Sequence, residues 1–131
     1  MDPAAGRVLI VDDEPPLLRM MSIYLGRLGF RVTTAGTTDE AWSLAAADPA
    51  AFAVAVLDGS MPGMTMEDLA LRLLQANSSL CVLAASGYPV DMTVLSAAAP
   101  GRVAFLQKPF TPEMLANAVR RLIAAQEEKD I

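Results

Sequence analysis

The sequence predicts an α/β fold, a parallel five-stranded sheet with helices on both faces. Three observations carry this. Five short apolar runs recur along the chain: Arg7–Val11, Phe30–Thr34, Ala53–Leu57, Leu80–Ala84 and Val103–Leu106. Short apolar runs bounded by turn residues suit strands buried on both faces. Amphipathic stretches alternate with these runs, as the crossovers of a parallel sheet require. Finally, 53% of the 131 residues are hydrophobic and only 19% charged, enough apolar material for a sizeable core in one domain.

The helices follow from spacing and end signals. Leu17, Met21, Tyr24, Leu25 and Leu28 share one helical face, and Gly29 follows as a stop. Thr37 with Glu40 forms a capping box before Ala41–Ala47, which Asp48-Pro49 closes. Thr65 caps a helix that carries Leu69, Leu73 and Leu74. Val90–Ala99 is the weakest helical pattern, rich in alanine and ended by Pro100-Gly101. Thr111-Pro112-Glu113 opens the last helix, with Leu115, Val119, Leu122 and Ile123 inward. One domain is expected over 1–131, with its core at about 6–125 and a polar tail, QEEKDI, that frays.

The bulk chemistry removes several functions. A net charge of -5 argues against direct nucleic-acid binding. No apolar run approaches the roughly 18–20 residues of a membrane span, and MDPAAGR does not read as a signal peptide, so a cytoplasmic location is expected. Cys81 is alone within LCVLAA and reads as a buried thiol in a reducing compartment. The chain has no histidine, which excludes histidine general bases, histidine metal ligands and a histidine phosphodonor.

In an open α/β sheet, ligands bind beyond the carboxyl ends of the strands. There the first run meets Asp12, Asp13 and Glu14, the third ends at Asp58, the fourth at Ser86 and the fifth at Lys108-Pro109. Each has an ordinary reading. Asp12–Glu14 suit a helix N-terminus, Asp58-Gly59 and Ser86-Gly87 suit turns, and Lys108 suits a solvated surface. Together, however, Asp12, Asp13 and Asp58 bring three acids to one rim with a hydroxyl and an amine.

Clustered carboxylates repel one another unless a cation sits among them. Their hard oxygens suit Mg2+, which takes few protein ligands. One carboxylate could then attack a phosphoryl group and form an aspartyl phosphate. That chemistry asks mainly for positioning and charge neutralisation, to which a lysine and a hydroxyl both contribute.

VDDEP, LDGSMPGM, SGY and FLQKPF, in this order and spacing, resemble the receiver domain of two-component response regulators. The likeness spans about residues 6–125 and is greatest to receivers attached to or partnered with hybrid sensor kinases. It implies a flavodoxin-like (βα)5 sandwich with strand order 2-1-3-4-5. It also implies that Asp58 is the phosphoacceptor. Mg2+ would be bound directly by Asp13, through water by Asp12, and by Asp58 and the backbone carbonyl of Ser60. Ser86 would be the switch hydroxyl, Phe105 the switch aromatic and Lys108 the phosphoryl-pairing lysine, with Lys108-Pro109 a candidate cis bond. Ser60 and Tyr88 would flank the path of the hydrolytic water. The implied phosphodonor is a sensor histidine kinase or histidine phosphotransfer protein. The implied switching face is the fourth helix, fifth strand and fifth helix, through which a homodimer could also form. The downstream output partner is left open.

Three departures accompany the likeness. Gly59 stands where a bulky apolar residue is usual, which is expected to loosen that loop. Met66 replaces a frequent glycine. The stretch Pro89–Gly101 carries a single charge, Asp91, so its helix is expected to be short, mobile or involved in a partner contact. Two other classes fit less well. A haloacid dehalogenase-type phosphatase would place a second aspartate two residues after the nucleophile, where this chain has Ser60. A receiver-shaped binding module without phosphorylation would not need the acidic pair, the acceptor and the lysine together.

Overall fold

The computed structural model describes residues 6–59, 61 and 63–129. Five strands alternate with five helices: β1 Arg7–Val11, α1 Pro15–Arg27, β2 Arg31–Ala35, α2 Thr38–Ala47, β3 Val54–Asp58, α3 Met66–Ala76, β4 Cys81–Ser86, α4 Thr93–Ala98, β5 Val103–Gln107 and α5 Pro112–Lys129. All pairings are parallel and the order is β2-β1-β3-β4-β5, as expected.

Strand alternation splits the core cleanly. Leu9, Val11, Ala55, Leu57 and Val82 pack with Ala41, Leu69, Leu73 and Leu95 of α2, α3 and α4. Val8, Ile10, Val54, Val56, Cys81, Leu83 and Ala85 pack with Met21 and Leu25 of α1 and Leu115, Val119 and Leu122 of α5. Residues one apart on a strand face opposite layers, so an all-apolar strand serves both. β3 and β4 are buried throughout, whereas the edge strands β2 and β5 are partly exposed.

The local signals act largely as read. The Thr37 and Thr65 hydroxyls accept hydrogen bonds from the amides of Glu40 and Asp68 (3.0 and 3.1 Å), and the Thr111 hydroxyl accepts from Met114 (3.1 Å). Pro15 opens α1, where its missing N–H costs nothing. Gly29, at φ 98°, turns the chain out of α1 through a conformation closed to most residues. Leu28 caps this helix and is exposed rather than inward. Cys81 is buried, as expected.

α5 runs to Lys129, so the expected polar tail is helical through that residue, the Gln126 amide donates to the Gly101 carbonyl (3.2 Å), and Asp130 and Ile131 lie outside the described residues. One expectation is corrected. The fourth helix is only Thr93–Ala98, not Val90–Ala99. Asp91 precedes it as a local cap, accepting from the Thr93 amide at 2.9 Å.

Candidate functional site

The carboxyl ends of β1, β3 and β5 bring three charged side chains into contact. Asp58 is the last residue of β3, Asp12 directly follows β1, and Lys108 directly follows β5. Asp12 and Asp58 are buried. The Lys108 ammonium lies 3.0 Å from Asp12 Oδ2 and 3.4 Å from Asp58 Oδ1. The surface reading of Lys108 therefore fails, since it is the counter-ion of two buried carboxylates. Partial burial would lower its pKa, but the hydrogen bond and charge of Asp12, with the charge of Asp58, outweigh this and hold it above the ordinary lysine value.

Asp13 completes the acidic group from the exposed side. Asp12, Asp13 and Asp58 can each offer one oxygen, all within 4.8 Å of one another. That is three hard donors on one hollow, two of them buried, a set that fits a small divalent cation. Ordinary backbone demands set the carboxylates. Asp12 Oδ1 accepts from the Glu14 amide (3.0 Å) and the Asp12 amide donates to the Ala35 carbonyl (3.1 Å), which fixes the β1–α1 turn. The acidic run directly precedes α1, but it places no acid in the first turn and Glu14 makes no side-chain cap.

Ser86 ends β4 on the other layer. Ala85 packs toward α1 and α5, so Ser86 belongs to the opposite face, together with Ala84 and its β5 neighbour Phe105. The Ser86 hydroxyl accepts from the Tyr88 amide (3.1 Å), and its carbonyl accepts from the Lys108 amide (2.8 Å). The backbone of the lysine segment is thereby tied to the serine strand, and Lys108-Pro109 is cis. Phe105 is half-buried, and the edge of β5 that it forms with Ala104 and Leu106 borders a cavity of about 340 Å³ against Met114, Ala118 and Leu122 of α5. Tyr88 is exposed. Ser60, expected to supply a carbonyl ligand, lies outside the described residues.

The Gly59 amide donates to the Ala85 carbonyl (2.9 Å), extending the β3–β4 ladder past Asp58, and Ser60 and Pro62, in the loop that Gly59 was expected to loosen, lie outside the described residues. Downstream, Gly63 adopts φ 94°, and a Cβ there would meet the Thr38 hydroxyl at 3.1 Å, so Gly63 lies close on the start of α2. Sequence reasoning missed Arg102, whose guanidinium donates to the carbonyls of Leu74, Asn77 and Leu80 and ties the α3–β4 connection to the base of β5. No local pattern marks such a long-range contact.

Comparison with known proteins gives the family. The probable transcriptional regulatory protein TcrX of Mycobacterium tuberculosis is 34% identical over 88% of this chain and 49% of its own length. The DNA-binding response regulator MtrA of Mycolicibacterium smegmatis is 30% identical over 98% of this chain and 55% of its own. The chain thus spans about half the length of these curated relatives. A CheY-like response regulator receiver domain protein from Methanospirillum hungatei superposes with a TM-score of 0.80 at 26% identity, covering 95% of this chain and 98% of that one. The family model of the response regulator receiver domain matches residues 8–120, and the chain belongs to that family, the receivers of two-component signal transduction.

Proposed function

We propose that this receiver takes a phosphoryl group from a partner's phosphohistidine onto Asp58, in a Mg2+-dependent step, and thereby changes the face formed by α4, β5 and α5. The observation that carries the proposal is the cluster itself: three carboxylates within 4.8 Å of one another, with one ammonium bridging the two buried ones. Asp12, Asp13 and Asp58 would hold the ion, which supplies positive charge for the phosphoryl oxygens.

Asp58 attacks phosphorus, the bond to the donor imidazole nitrogen breaks, and an acyl phosphate remains on the carboxylate. Lys108 already stands against Asp58 and pairs with one phosphoryl oxygen. Ser86 exchanges the Tyr88 amide for a second oxygen, and Phe105, on the same face of the sheet, repacks into the space released. Moving such an equilibrium from mostly one state to mostly the other needs about 3–5 kcal/mol of differential interaction. A charge-assisted hydrogen bond and an ion pair in a partly desolvated site are of that order.

The test is labelling with radioactive acetyl phosphate and Mg2+. The parent protein is expected to carry hydroxylamine-sensitive label and Asp58→Asn none, whereas undiminished labelling of the variant would refute the assignment. Ser86→Ala is expected to keep the label while the amide resonances of β5 respond to it more weakly.

A further inference from the structure

We propose that the missing side chain at Gly59 sets the resting position of the Ser86 hydroxyl, making Gly59 a positioning residue for the serine. Three observations converge on it. The register pairs Asp58 with Ala85, and the Gly59 amide bonds the Ala85 carbonyl at 2.9 Å, so Gly59 lies beside Ser86 across the β3–β4 ladder. By alternation both residues belong to the face away from Asp58. A Cβ on Gly59 would stand 3.1 Å from Ser86 Cβ and 3.3 Å from its Oγ. Gly59 is not among the glycines at positive φ, so conformational freedom does not explain it. What glycine provides here is room, and the Ser86 side chain occupies it.

The consequence concerns the hydroxyl. In its present place Oγ accepts from the Tyr88 amide. A methyl group at position 59 would press on both Cβ and Oγ of Ser86 and push the hydroxyl off that amide. Glycine at 59 thus keeps Ser86 parked on its own loop until something draws it away. That this something is a phosphoryl group on Asp58 rests on the function proposed above, whereas the seating of Ser86 does not.

The experiment compares the parent with Gly59→Ala by amide NMR and hydrogen exchange, first without phosphoryl donor or beryllofluoride. Exchange of the Tyr88 amide is expected to rise about fivefold, the effect of losing one net hydrogen bond, and its resonance to move. An unchanged Tyr88 resonance and exchange rate would overturn the proposal. With Mg2+ and beryllofluoride added, Gly59→Ala is expected to bind the ligand and to alter the Phe105 response only while the Ser86 hydroxyl is present, so that in the Ser86→Ala background it changes nothing further. Additive effects would overturn the coupling. A parent that ignores beryllofluoride would count against the proposed function alone, since the Tyr88 measurement stands without it. Should Gly59→Ala not fold, Ser86→Gly in the same chain removes both contacted atoms. Restored folding would support the contact, and continued failure would overturn it.

Discussion

The rim around Asp58 and the edge formed by α4 and β5 are built on opposite terms. At the rim, Asp12 and Asp58 are buried, share one ammonium, and stand at the ends of strands ordered by backbone bonds. At the edge, α4 has six residues and one buried side chain, Leu95, while Val94 and Met114 of α5 are exposed and Phe105 is half-buried beside a cavity. Phosphoryl chemistry rewards groups held in place before the reaction begins. Under the proposed function, the edge would need two arrangements of similar energy, and sparse packing permits them. The connection between the two regions is short: Ser86 touches the rim through the Lys108 amide and shares its face of the sheet with Phe105.

The largest expected effect tests the rim. Lys108→Met leaves two buried carboxylates without their counter-ion and should lower stability by about 2–3 kcal/mol in urea denaturation without divalent ions, less than for a fully buried pair because the ammonium keeps some water. No loss would mean that the ion pairs are not maintained in solution. The raised lysine pKa gives the pH sense. Its contribution is fully present below the ordinary value of 10.5 and is lost only as pH climbs through the higher folded value, so neutral pH leaves it intact.

A smaller effect tests the anchor of the edge. Arg102→Met removes donors to three carbonyls and should cost about 1–2 kcal/mol, with faster exchange around the α3–β4 connection. Smaller again is Asp13→Asn, which relieves like-charge crowding. It should raise stability by about 0.5–1 kcal/mol without Mg2+, and the advantage should vanish when Mg2+ is added. A gain that persists in Mg2+ would separate Asp13 from the cation. The smallest effect is at the fully exposed Asp91. Its bonds to Thr93 hold its pKa below 3.8, so its hold on the start of α4 is present above that value and fades as pH falls through the lower folded one. Asp91→Ala should speed exchange within α4 alone and leave the denaturation midpoint in place.

The rim was legible in the sequence because its logic is local. An apolar run that stops at a carboxylate, a hydroxyl or a lysine marks a strand end, and the parallel topology places all such ends together. The same logic gave the strand order only by way of the resemblance, since periodicity does not say which strands are neighbours. The Gly59–Ser86 contact was beyond reach because it depends on the β3–β4 register, which pairs residues 27 positions apart. The contact made by Gln126 was out of reach for a comparable reason: its partner is the carbonyl of Gly101, far away in the chain. The bounds of α4 were overdrawn because alanine-rich sequence favours helix almost anywhere, while the single cap at Asp91 fixes where it starts.

The proposal turns on whether the acidic hollow takes up a divalent cation. Amide NMR of the parent protein during a Mg2+ titration addresses this most directly. Saturable shifts confined to the turns after β1 and β3, absent in Asp13→Asn, are the predicted result. Spectra that do not change with Mg2+, or that change equally in the variant, would contradict the account.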